Sequence, residues 1–207
     1  MHKILIIILF VLFSSAAQSQ IQTVYFDAKD QVTADSTLAR SYGIYGKVTG
    51  EQLWVFKKYD IDGVLMVTGA FKDDLLSLPQ GKFVYYDWVD ASNNYANLIL
   101  LERGIQRYVL LSGNFENGLK HGRWTSFYEN GDVKSVSLFE AGILHGDYIS
   151  FDRNGDMFER GTFVNNKKEG TWQLSGGLKV VEYKNDQVIS VTNKTKRQLK
   201  AEQQNKQ

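Results

Sequence analysis

A fixed interval constrains this chain more than any other feature. Gly122, Gly146 and Gly170 are spaced by 24 residues, as are Phe115, Phe139 and Phe163, and as are Trp124, Tyr148 and Trp172. The turn pairs Asn130-Gly131 and Asn154-Gly155 keep the interval, and so do Asn117-Gly118, Ala141-Gly142 and Asn165-Asn166. Self-similarity at this period is the signature of a repeat array. Units this small cannot bury an apolar face alone, so each depends on its neighbours.

Each unit parses as two strands and two tight turns. Residues 122–129 run into Asn130-Gly131, and residues 132–140 return to Ala141-Gly142. Asn-Gly between aromatic and β-branched runs predicts a type I′ hairpin turn, which needs positive φ at both central residues. Alternation puts Trp124, Ser126 and Tyr128 on one face of the strand and Thr125 and Phe127 on the other. Equivalent side chains of successive units then stand in columns two strands apart, roughly 9–10 Å. The fold class this predicts is all-β, an elongated antiparallel β-meander built of hairpins that recur every 24 residues.

The positions Gly113, Phe115, Asn117-Gly118, His121-Gly122, Trp124, Phe127-Tyr128 and Asn130-Gly131, with most of their equivalents one and two periods later, resemble the bacterial variant of the MORN repeat. That variant is found in proteins named as antitoxin components of the YwqK-like family. The chain departs from the pattern at Ser137 (for Gly), Ala141 (for Asn) and Glu169 (for His). The resemblance implies an all-β array used for contacts, and no known reaction.

Around the array the chain divides into further segments. Residues 1–19 are laid out as a secretory signal peptide: His2 and Lys3, an apolar stretch from Ile4 to Phe13, then small residues to Ser19. That apolar stretch is short of the ~20 residues a spanning helix needs, so the expectation is an exported chain, periplasmic or extracellular after cleavage, with no transmembrane segment. Residues 20–52 form an N-terminal segment, with a first strand at Thr23–Asp27 and a helical turn at Asp35–Arg40 capped by Asp35. Residues 53–112 read as degenerate repeats. Within them, Asn97–Glu102 and Gln106–Leu111 read as an apolar hairpin covered on both faces, with the N-terminal segment folded over it. The array occupies residues 113–192. Residues 193–207 are a polar, basic tail, expected to be disordered, frayed or weakly helical.

Composition excludes several chemistries. There is no Cys, which rules out disulfides, thiolate metal sites and a Cys nucleophile. Without Lys3 the mature chain carries 23 basic and 23 acidic residues, so nothing draws it to nucleic acid. The column His121, His145, Glu169 invites a metal reading, but ligands must converge on one point and column neighbours stand apart in parallel. Asp152-Arg153-Asn154-Gly155-Asp156 resembles the opening of a calcium loop, yet Met157 and Phe163 occupy the positions that demand Gly and a bidentate acid. Asp60 with Asp62, and Asp73 with Asp74, fall in turns, where Asp is favoured for backbone reasons. No metal, cofactor or catalytic residue is assigned, and the chain reads as non-enzymatic.

The candidate binding residues are the aromatic columns, Trp124, Tyr148 and Trp172 with Phe115, Phe139 and Phe163. As packing ladders they hold the sheet together. As an uncovered stripe they would dock a partner, since large exposed apolar patches mark interaction sites. Exposed edge strands offer a second mode, by strand addition. The function expected is an exported protein-binding or envelope-associated scaffold, its partner a protein or cell-envelope component. The alternative is an antitoxin or immunity-type protein that neutralises a toxin by direct binding.

Overall fold

The computed structural model describes residues 21–47, 50, 52–90 and 95–204; the signal-peptide expectation concerns residues outside these. The strands are β1 (Gln22–Phe26), β2 (Val32–Thr33), β3 (Ser41–Lys47), β4 (Trp54–Asp60), β5 (Leu65–Phe71), β6 (Gly81–Trp88), β7 (Arg107–Glu116), β8 (Leu119–Phe127), β9 (Val133–Glu140), β10 (Ile143–Phe151), β11 (Met157–Val164), β12 (Lys167–Leu174), β13 (Lys179–Lys184) and β14 (Gln187–Asn193). Among the described residues, helix α1 (Tyr95–Glu102) lies between β6 and β7 and helix α2 (Lys196–Gln204) follows β14. All the strands form one antiparallel sheet in the order β14 to β3 and then β1 and β2, so from β3 onward each strand pairs with its neighbours in sequence. The expected meander of hairpins is the fold.

The two kinds of turn differ from the expectation in an informative way. At Asn130-Gly131 the Tyr128 N–H donates to the Asp132 carbonyl (2.8 Å) and the Gly131 N–H to the Tyr128 carbonyl (2.9 Å), with positive φ at Gly131 alone. That is a three-residue loop closed by a bulge, and Asn154-Gly155 repeats it. The type I′ pattern sits at the opposite margin of the sheet. Both central residues have positive φ at Asn117-Gly118, Ala141-Gly142, Asn165-Asn166 and also Asn185-Asp186. These turns bond to one another across units: Gly142 N–H donates to Lys120 O (2.8 Å), Asn166 N–H to Leu144 O (2.9 Å) and Asp186 N–H to Lys168 O (3.0 Å). The period therefore survives even in backbone atoms that no strand ladder uses.

Three segments correct the sequence expectation. Residues 95–102, expected as half of a hairpin, are helix α1; a short apolar run without alternation does not distinguish a buried strand from a helix. The N-terminal segment does not cover this part of the sheet. It extends the sheet instead, β1 pairing with β3 along its length, while Asp35 accepts from the Thr37 N–H and caps a 3-10 turn at Ser36–Leu38. The basic tail is ordered as α2 over residues 196–204. Thr195 and Gln198 form a reciprocal capping box, Gln198 Oε1 accepting from Thr195 N–H (2.8 Å) and Thr195 Oγ1 from Gln198 N–H (3.3 Å). Leu199 of α2 rests against Gly177.

Candidate functional site

The sheet has one layer, yet Trp124 is 2% and Trp172 0% exposed. Cross-strand register explains how. Phe56 pairs with Gly69, Phe83 with Gly113, Trp124 with Ser137, Ser137 with Tyr148, and Tyr148 with Gly161. Large rings thus alternate with the smallest residues along one row, and each large ring lies across the small residue of the preceding strand. A Cβ on Gly113 would meet the Trp124 indole at 2.1 Å, and one on Gly161 would meet Trp172 at 2.2 Å. Each indole N–H then donates to the carbonyl one residue past that glycine, Asn114 O (3.1 Å) and Thr162 O (3.2 Å). The ring is fixed in orientation as well as buried.

The phenylalanine columns meet these rings edge to face. Phe115 and Trp124 are 5.1 Å apart at 88°, Phe163 and Trp172 4.9 Å at 82°, and Tyr148 and Phe163 5.5 Å at 87°. Phe139 joins through Trp124 at 6.2 Å. Lysines close the stack, Lys120 lying 4.3 Å from the Trp124 ring centre and Lys168 4.0 Å from that of Trp172. Burial beside the rings holds Lys120 below the usual lysine range, while Lys168 is paired with Glu159 at 3.3 Å. The structure brings all six candidate residues together on this face. Trp124 and Trp172 present almost no surface, and their polar atoms are already bonded.

The middle unit is built differently. Tyr148 replaces the indole, Ser137 the glycine beneath it, and Leu144 the lysine lid. These departures belong together, because a phenol leaves room that an indole over a bare Cα does not.

The reverse face is where the sheet stays open. Two adjoining grooves run along it. One of about 540 Å³ is floored by Val136, Leu138 and Ile149 and flanked by Arg123, Asp147 and Arg160. The other, about 570 Å³, lies over Val84, Val109 and Phe127, with Leu100 and Ile105, from α1 and the turn after it, on its wall. Four cationic side chains line the pair, Lys82, Arg107, Arg123 and Arg160, against the carboxylates of Asp147 and Glu129. Arg153 already holds Glu129 through two bonds (2.7 and 3.2 Å), which keeps that carboxyl below its usual range. The trough is therefore net basic over an aliphatic floor. Alternation along the strands made this face legible, but sequence reasoning weighed only the aromatic one.

The acidic and histidine positions serve the turns. Asp152 accepts from the N–H groups of Asn154 (2.9 Å) and Asp156 (3.0 Å), and Asp60 from those of Asp62 (3.0 Å) and Val64 (2.7 Å). Asp73 accepts from Ser77 and Leu78, and the Ser77 bond lowers its pKa. Glu169 takes the Asn185 N–H (2.8 Å), and His121 lies 3.5 Å from Glu116. Among the described residues no three His, Asp or Glu converge as a metal site would require, and no helix is long and apolar enough to cross a membrane.

Comparison with known proteins agrees with the geometry. The family model of the MORN repeat variant matches residues 120–141 and 144–165. The chain thus carries two recognisable copies, and the indole-over-glycine arrangement recurs at Trp172, beyond both. No curated protein matches the chain.

Proposed function

We propose that this repeat protein is exported and non-enzymatic, and that it binds an acidic, extended segment of a protein or envelope partner in the trough on the reverse face of its sheet. One observation carries the reading: the aromatic face fills itself, ring over glycine, while the reverse face leaves Val136, Leu138 and Ile149 half-buried on the floor of an open groove whose rim holds more cationic side chains than carboxylates. An aliphatic floor rewards burial of apolar side chains, and a basic rim favours an acidic partner in both rate and register. The layout of residues 1–19 supports export. An antitoxin role is the same act of binding with a toxin as partner, met outside the cytoplasm.

Affinity capture from an envelope extract tests this, with the wild-type chain beside an Arg123→Glu/Arg160→Glu variant of equal unfolding midpoint. A partner held by the wild type and lost by the variant is the expected result. Retention by the variant removes the trough from the account. A toxic protein recovered and rescued by co-expression makes the role antitoxin, and turnover of a substrate by the purified chain overturns the non-enzymatic reading.

A further inference from the structure

The two edges of the sheet are unequal. At one, β2 has two residues and pairs only with Tyr25 and Phe26 of β1, and so short an edge strand blunts pairing with other chains. At the other, β14 offers seven residues, Gln187–Asn193, and all seven are exposed. Helix α2 does not cover them. It turns back toward the interior of the sheet, where Leu199 meets Gly177 and lines a recess with Met157 and Phe158.

The row that carries the indoles breaks off at this edge. Trp172 pairs with Val181, and Val181 with Val191. Exposure along the row is 0% at Trp172, 2% at Val181 and 49% at Val191. The backbone is equally open. Lys194 N–H donates to the Leu178 carbonyl (2.7 Å), next to the pair Asn193 and Lys179. Alternate residues of a strand direct N–H and C=O to the same side, so Thr192 serves β13 while Val191 turns both groups outward. The strand carries no charged residue and no proline, the usual guards of an edge.

We propose that β14 pairs with β14 of a second copy, antiparallel, about a two-fold axis at Val191. Such an axis sets residues beside their own copies, so a charge close to it would repel itself, and β14 has none. With Val191 on the axis, the row from Trp172 through Val181 continues into the same row of the second copy. Ser190 and Thr192 then lie opposite each other twice, a hydroxyl pairing that suits cross-strand neighbours. At each end Asp186 of one copy comes level with Lys196 of the other, opposite charges in both places. The register shift beside Ile189 falls outside the three central residues. The pairing uses both long edges and leaves the short β2 at either end of the joined sheet. The proposal goes beyond the partner-binding reading and stands without it, because an edge and not the trough makes the contact.

The test is sedimentation equilibrium of the purified full chain. A reversible monomer–dimer equilibrium is expected, with a Kd in the micromolar range for an interface of this limited size. The unfolding midpoint should rise with protein concentration. Val191→Lys sets like charges face to face at the axis and should weaken association by about tenfold or more, with the midpoint of the dilute, monomeric chain unchanged. Because the chain has no Cys, single thiols read the register. Val191→Cys should give a disulfide-linked dimer on mild oxidation. Gln187→Cys, in the same exposed strand, should not, because its two copies would stand roughly 27 Å apart. A chain that stays monomeric at millimolar concentration overturns the proposal, as does association that Val191→Lys leaves intact. Species larger than a dimer, or equal cross-linking of the two thiol variants, refute the closed two-fold pairing. Arg123→Glu/Arg160→Glu should leave self-association unchanged, which separates this result from the fate of the trough.

Discussion

At the scale of single residues, the period is a rule about volume. A Trp is admitted where the preceding strand offers a bare Cα, and a Tyr where it offers Ser137. The pairing makes the two departures in the middle unit one event. Tyr148→Trp alone should place an indole over the Ser137 side chain and destabilise by about 1–3 kcal/mol, the usual cost of overpacking. Adding Ser137→Gly should recover most of that loss, with a coupling of about 0.5–3 kcal/mol between the positions. Urea unfolding of the two single variants and the double variant measures it; additive effects would mean that the ring does not lie over that Cβ. The columns were legible in the sequence because identical residues recur. Their burial was not, since a single-layer sheet gives no reason to expect an indole with no accessible surface until the glycine beneath it is seen.

At the scale of elements, the hairpin is set by its turns, and the two margins use different ones. Reading Asn130-Gly131 as type I′ failed because Asn-Gly also suits a three-residue loop, in which only the glycine turns left-handed. The count of residues between the strands decides, and strand ends are where sequence reading is weakest. Helix α1 was missed because four consecutive apolar residues carry no period. Helix α2 was expected at most as weak helix in a frayed tail, although Thr195 and Gln198 spell a capping box, because a run of like charges favours a solvated terminus. The departure at Ala141 has a consequence that can be measured. This residue holds φ of 47°, a conformation that costs a non-glycine L-residue roughly 1–2 kcal/mol and that Asn tolerates better. Ala141→Asn should therefore raise stability by up to about 1 kcal/mol, read as a higher thermal midpoint. No gain would show that the turn is held by its bond to Lys120 rather than by its own preference.

At the scale of the whole molecule, stability is a sum over neighbouring strands. From β3 to β14 every pairing is between consecutive strands, so a complete unit can leave without orphaning a distant one. Deleting residues 119–142 would join Gly118 to Ile143, keep a two-residue turn and seat Tyr148 beside Gly113. That chain should fold with β-type circular dichroism and one cooperative transition. Deleting residues 119–130 alone reverses the direction of every later strand and should abolish folding. If both deletions unfold the protein, long-range order rather than the unit is what the sequence encodes. The array was legible because its grammar is local. The placement of β1 outside β3 was not, because it is the one connection that leaves sequence order.

The same connectivity governs how the protein would answer to tension. Because β14 forms one edge of the sheet and the N-terminal strands lie at the other, a pull on the two ends would load the ladder one row at a time. Rupture would come as a succession of small, similar extensions instead of a single yield. Such a sheet would lengthen gradually under load, strand by strand from its edges.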